Sequence, residues 1–491
     1  MLQIANLKDY SDANISELLE LVYPVLKKRR DLKDKYSRKA NEVRLMYSNS
    51  NLSTKLPYEK FITDLATGYL SGTPVYKVNV SKDEIKNEIL NKLLDVPYRS
   101  ENYQSEMEIL IDFISNFNDD AQENHDLIHD VLELTSCYEF IYEDENNNIV
   151  YSKLNPLQTV ATWDYSTPPN LTGLVRTWKE KTIDGTEFDK VELIDKDSIR
   201  TFNNYGNSCV LESEIPHFWG DVPAFAVETP FAIFEPCEDV INAIEQLLQN
   251  IRNTYQYNDT DCKLKIVGFT PENETIVYND KGEPIVNPAR LLEDDALLAS
   301  KTFYIPSEGD VSYITKAMDS AGAISMFKMY VDLMFQLSGI PNTNDLAFDS
   351  ADLNASAIDR KFYIMNMCTE KVISLLKKAY LRRWELIFNH INLKKSTNYD
   401  FRNIEVELPK DLPSNKSELA DYYLKLKDLV STQTIIESLG FNYLSEKEKM
   451  DKESTDNLET NIERMKLLNE QSGNNQQEME EDGQGTGKEL S

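Results

Sequence analysis

The sequence predicts an α+β chain, mainly helical, in which long amphipathic helices carry small β-sheets. Three observations make that prediction. Apolar residues recur at three- and four-residue spacing in 318–338 and again in 355–393, the period of one helix face. Between 138 and 211 apolar and aromatic residues instead alternate in short runs separated by Asn, Asp, Gly and Pro, the period of strands joined by turns. Finally, 491 residues with 41% apolar side chains exceed one small core and imply two to four domains.

From the N-terminus, 13–46 is helical in pattern, with Ile15, Leu18, Leu19, Val22 and Leu26 as its apolar stripe and Pro24 expected to kink or break it. Its basic run, from Lys27 to Arg44, reads as a solvated face or as a surface that meets an acidic neighbour. Phe61, Leu65 and Tyr69 mark a short helix over 57–70, and Gly72 and Pro74 turn the chain into a strand over 75–80. Residues 104–135 read as helical. Tyr138, Phe140 and Tyr142, a polar turn at 144–148 and the run 150–154 form a hairpin, followed by strands near 159–163, 174–179 and 189–211. Trp163 and Trp178 read as packing residues.

A turn at 217–223 leads to an apolar strand over 224–229. The stripe Val240, Ile241, Ile244, Leu247, Leu248, Ile251 and Tyr255 makes 235–257 an amphipathic helix. Residues 258–313 read as a compact excursion, with strands at 263–268 and 301–305 and turns at 271–274 and 279–282; a strand over 311–315 leads back. The helix around 324–337 stops at Gly339 and Pro341. The run 355–393 has no proline or glycine and carries Ile358, Phe362, Met365, Val372, Leu376, Tyr380, Trp384, Ile387 and Ile391 on one stripe. After it come a strand at 404–408, two or three short helices with a cap at 431–434, a charged helical stretch from 446, and a polar acidic tail over 471–491 that reads as disordered.

Four phrases, in order, resemble one family. They are YEKFITDLATGYLSGTPV at 58–75, the hairpin–NP–strand block ending at Arg176, FQLSGIPN with DLAFDS and NASAIDRKF at 335–362, and the LP–N–E to LG stretch near 412–440. The aromatic–Gly–Asp–Val–Pro turn at 218–223 and the basic phrase Lys377, Lys378, Leu381, Arg382, Arg383 match as well. Together they resemble the portal proteins of tailed bacteriophages with long non-contractile tails. The resemblance implies a ring, usually of twelve subunits, at one capsid vertex, with 1–235 as wing, 236–258 as stem helix and 259–315 as clip. It further implies 316–340 as second stem helix, 341–353 as tunnel loop, 354–413 as long helix and wing return, and 414–470 as crown. Implied partners are other copies of the chain, the large terminase subunit, head-completion or adaptor proteins, the major capsid and scaffolding proteins, and double-stranded DNA passing non-specifically through the channel. ATP hydrolysis belongs to the terminase, so neither catalysis nor a cofactor is expected.

The tunnel-loop candidates are Asn342, Asn344, Asp345, Asp349, Asp352 and Asn354, with no Lys or Arg between 342 and 353. Related portals often have Ser-Gly where this chain has Asn354-Ala355, and alanine favours helix over glycine by about 1 kcal/mol, which argues against a hinge there. A net charge of −31 argues against a protein that grips phosphates and suits a surface that DNA slides past.

Enzyme signatures are missing. Gly483 to Lys488 imitates a phosphate loop but has Asp482 and Glu489 where a glycine and a hydroxyl are needed. The five cysteines are scattered without CxxC, so neither a zinc site nor a disulfide frame is expected. His125 and His129 stand at i, i+4 without a third ligand, which reads as a solvated helix before it reads as a metal site. A hydrolase working through paired carboxylates remains open on composition alone. The start lacks the features of a signal peptide, and no apolar run approaches the ~18 residues a membrane span needs, so no membrane partner is expected. The competing reading is an acidic virion adaptor or scaffold without a DNA tunnel.

Overall fold

Alternation of side chains along its strands builds the largest sheet, of six strands, and one helix covers it. In the computed structural model the sheet order is β1 (Leu2–Gln3), β5 (Thr159–Trp163), β6 (Leu171–Lys181), β7 (Glu187–Ile194), β8 (Ser198–Asn204) and β9 (Cys209–Pro216), with only the β1–β5 pair parallel. Val160, Val175, Val191, Leu193 and Phe202 point to one face and meet Ile15, Leu18, Leu19, Val22 and Leu26 of α1 (Ile15–Tyr36). Their sequence neighbours Ala161, Leu174 and Ile194 point to the other face. There they pack with Tyr138, Leu154, Val222 and Ala224, contributed by the sheet β10 (Ala224–Glu228), β3 (Ser136–Glu143) and β4 (Ile149–Leu154) and by the turn before β10. Each such buried Val, Leu or Ile contributes about 1.5–3 kcal/mol.

The structure describes residues 2–37, 56–79, 103–181, 185, 187–206, 208–259, 263–267, 274–279, 282–299, 308–314, 319–342 and 355–410, with scattered positions beyond. The chain divides into two compact units, 1–349 with 361–411 and 350–360 with 412–491. Most of the second lies outside the described residues, as do the expected strand at 301–305, the crown helices, the tail and the phosphate-loop imitation.

Several expectations change. Pro24 does not end α1, which runs as one helix because buried residues on both sides of it, Val22 and Leu26, hold both halves against the same sheet. The expected helix over 104–135 is two, α3 (Tyr103–Phe117) and α4 (Asp120–Leu134), following α2 (Tyr58–Leu70). Asp119 adopts φ 50° between them, a left-handed turn that Asp tolerates better than most residues. The Asn118 side chain fixes the turn, donating to the carbonyls of Ile114 and Ile149 at 2.9 and 3.0 Å and accepting from the Tyr151 amide at 3.0 Å. The short strand β2 (Val75–Val78) pairs antiparallel with β15 (Ile404–Glu407).

The chain leaves the first unit's body on α5 (Glu238–Asp259) and returns on α7 (Ser320–Ser338), and the two helices pack on each other. Between them β11 (Lys263–Val267) pairs with β14 (Asp310–Ile314), and β12 (Ile276–Tyr278) with β13 (Pro284–Val286). The excursion also holds a helix that sequence reading missed, α6 (Pro288–Ala299). Its signal is present: the Asn287 side chain accepts from the Ala289 amide at 3.1 Å, with proline at the first helical position. The long helix α8 runs unbroken from Ala355 to Lys395, matching the expected span.

The long helix and the candidate tunnel loop

Arg383 lies in the apolar stripe of α8, between Tyr380 and Ile387, and is fully buried. Its Nε donates to Glu139 Oε1 at 2.7 Å and its Nη2 to the other oxygen of the same carboxylate; Nη1 donates to Asp120 Oδ1. Tyr76 and Tyr151 hydroxyls donate to Asp120 at 2.6 and 3.2 Å. The guanidinium lies 4.1 Å from the Tyr151 ring centre and 4.5 Å from that of Tyr380. One side chain thus ties α8 to α4, β2, β3 and β4. Burial raises the Glu139 carboxyl to about 7 even with Arg383 beside it, and burial followed by the neighbouring Glu139 charge pushes Glu123 to about 8.

Among the described residues, parts of the first three phrases and the turn at 217–223 meet around this helix, while the 412–440 stretch lies almost wholly outside them. In the first, Gly72 lets two backbones touch: a Cβ there would collide with the carbonyl group of Pro409. Its own carbonyl accepts from Asn124, which in turn accepts from the Tyr380 hydroxyl at 2.6 Å. Tyr69 stacks on Phe362, ring centres 4.9 Å apart. In the turn at 217–223, Trp219 stacks on His390 at 4.2 Å and Asp221 pairs with Arg382. In the hairpin–NP block, Arg29 of α1 donates to the Pro156 and Thr159 carbonyls and pairs with Glu228. Arg176 at the end of that block pairs across strands with Glu192 at 2.6 Å.

The tunnel-loop candidates divide. Asn342 is described: its side chain donates to Asp332 Oδ1 at 3.1 Å, folding the start of the loop back on α7. The cap before it is tight. Gly339 has φ 72°, and a Cβ there would stand 2.6 Å from Cys368 Sγ, so the end of α7 lies directly on α8. Asn344, Asp345, Asp349, Asp352 and Asn354 lie outside the described residues.

His125 and His129 are not brought together as ligands. His129 groups instead with Asp130 and Glu133, their candidate ligand atoms lying within 4.8 Å. Lys33 stands 2.8 Å from Glu133 and Lys153 3.4 Å from Asp130, so ammonium groups already neutralise those carboxylates and the cluster is an ion-pair network. The same pairs answer part of the question posed by the basic run: Arg29, Lys33 and Lys35 find their partners inside the chain. Cys137, Cys209, Cys237 and Cys368 are free thiols. Among the described residues no helix is long and apolar enough to cross a membrane.

An α+β body clamped onto one long helix, with a helix pair leading out to a β-containing excursion, is the kind of virion structural subunit that the sequence phrases resemble. The family model described as phage portal protein, SPP1 Gp6-like, matches residues 7–460, and the chain belongs to that family, a structural and non-enzymatic one. No curated protein matches the chain. Among solved structures, the neck of a native GTA particle computed with C12 symmetry matches at TM-score 0.36 and 11% identity, over 78% of this chain and 89% of that one. The neck of an empty GTA particle computed with C6 symmetry matches at TM-score 0.38 and 12% identity, over 79% and 91%.

Proposed function

We propose that copies of this portal protein form a closed ring, of twelve subunits in the usual family pattern, through which double-stranded DNA enters and leaves the capsid. The ring docks the large terminase subunit during packaging, then head-completion proteins and the tail, and it is set into a vertex of the major capsid protein with the scaffolding protein during assembly. The observation that carries this reading, beyond family membership, is the apolar surface that one chain leaves uncovered on its stem. On α7, Met334, Phe335 and Ser338 are buried at the inner end, while Ile324, Met326, Met329, Leu333 and Leu337 are exposed. On the excursion Tyr278, Leu292 and Tyr313 are exposed in the same way. A surface of that kind is unfavourable in water and is covered when neighbouring copies pack side by side.

Residues 341–353 serve as the tunnel loop. With three aspartates and no cation it meets DNA through shape and through Asn342, Asn344 and Asn354, not through salt bridges. Replacing Asp345 and Asp349 by Asn is expected to change packaging rate, since it removes charge that keeps phosphates at a distance; an unchanged rate and extent removes that role.

The test of the whole reading is electron microscopy of the purified chain with its mass in solution. Rings with a central hole and a mass near twelve chains are expected. A stable dimer or an open filament overturns the channel and favours an adaptor.

A further inference from the structure

Helices α1 and α3 each present an outward face that the described residues leave uncovered, and the two faces have opposite chemistry. On α1 the exposed residues include Leu21, Pro24, Lys27, Lys28 and Arg30, flanked by Glu20 and Asp31. The three cations make no ion pair among the described residues, whereas Arg29, Lys33 and Lys35 on the same helix all do. On α3, Ile109, Phe113 and Phe117 recur every fourth residue and are 67%, 64% and 49% exposed. Glu106 and Asp112 are exposed beside them. Single exposed apolar residues are ordinary; three in register on one helix form a patch that water disfavours.

One face is basic with an apolar edge, and the other is acidic with an apolar stripe. They lie on different helices of the same unit. A closed ring of identical chains requires such a pair, because a head-to-tail contact joins two different surfaces of the chain. A symmetric contact would set the α3 acids against themselves. DNA fits the pair poorly, since phosphates offer nothing to Phe113 and Phe117. Net charge sharpens the argument: copies that each carry −31 repel one another, so a local basic-on-acidic contact is what steers them into one register.

Resting on the ring reading above, we propose that the outward face of α1 docks on the outward face of α3 of the next copy. Leu21 and Pro24 cover the Ile109–Phe113–Phe117 stripe, and Lys27, Lys28 and Arg30 meet its acids.

The test reverses each face separately in the full chain. K27E/K28E makes the α1 face acidic, and D112K/N116K makes the α3 face basic. Each variant alone places like charges across every contact, and association is expected to weaken by about tenfold or more. Mixed one to one, the two variants can alternate around a ring with opposite charges at every contact, and rings are expected to return. Their return also shows that both variants are folded. Assembly is read by light scattering and electron microscopy. Wild-type rings that persist unchanged in both variants, or a mixture that fails to recover, overturn this contact and leave the ring reading standing. A wild-type chain that stays monomeric at every concentration removes the ring reading and this contact with it.

Discussion

Arg383 is the residue on which the clamp around the long helix depends, because it is the cation shared by two buried carboxylates. Replacing Arg383 by Met leaves Glu139 and Asp120 inside without a counter-charge, and a loss of about 3–5 kcal/mol is expected in denaturant unfolding. Adding Glu139→Gln and Asp120→Asn to that variant removes the stranded charges and is expected to recover most of the loss. A triple variant as unstable as the single one would show that packing of the guanidinium, not its charge, is what matters. Glu123 gives a separate prediction, in pH. Its folded pKa of about 8 lies above the ordinary carboxyl value, so the folded state holds a proton that the unfolded state releases. The stability contributed by that proton is fully present below about pH 4.5 and is lost as pH rises through about 8. Denaturation midpoints measured between pH 5 and 9 are expected to fall across that window, and Glu123→Gln is expected to flatten the fall.

At the scale of elements, two glycines in one phrase test how the helix–turn–strand unit docks. Gly68 lies inside α2 with open space around it, so Gly68→Ala is expected to stabilise by about 1 kcal/mol through helix propensity alone. Gly72 faces the Pro409 carbonyl, a backbone atom that cannot rotate away, so Gly72→Ala is expected to cost about 1–3 kcal/mol. Thermal or denaturant unfolding of the two variants separates the effects, and equal signs would contradict the close approach. Elements of this kind were largely legible in the sequence. The span of α8 could be read because no proline or glycine interrupts its stripe, and the hairpin of β3 and β4 because its aromatic residues alternate around an Asp–Asn turn. Three things were not legible for physical reasons. The continuity of α1 through Pro24 is decided by tertiary burial, the break at Asp119 by one asparagine bonded to two carbonyls, and the role of Arg383 by carboxylates more than 240 residues away in sequence. A cue to the last did exist, since Arg383 stands within the helix's apolar stripe. The tunnel-loop residues were named from a phrase, and of them the described structure locates Asn342, bonded to Asp332.

At the scale of the whole molecule the governing quantity is the net charge, −31 per chain. A protein that holds DNA through six to ten phosphate contacts loses about 10³–10⁵ in affinity between 50 and 200 mM salt, because each contact releases condensed counterions. A channel of the kind proposed above would, with that behaviour, grip the polymer it has to let pass. Three cations of this chain's long helix are already engaged with its own acids: Arg382 with Asp221 and Glu385, Arg383 with Glu139 and Asp120, and Lys394 with Glu143. Lys377 and Lys378 stand in the same basic phrase without such a partner among the described residues. The assembled protein is therefore expected to retain linear double-stranded DNA no more tightly than about 10⁻⁴–10⁻⁶ M near physiological salt, with little change between 50 and 200 mM. Filter binding across that range measures both quantities at once. A steep salt dependence would mean that cations gather on the DNA side after all, and Lys377→Gln with Lys378→Gln would then lower the slope by about one unit for each phosphate left without its lysine. A flat response would fit the proposed channel, in which DNA is confined by shape and acidity and not by salt bridges to phosphates.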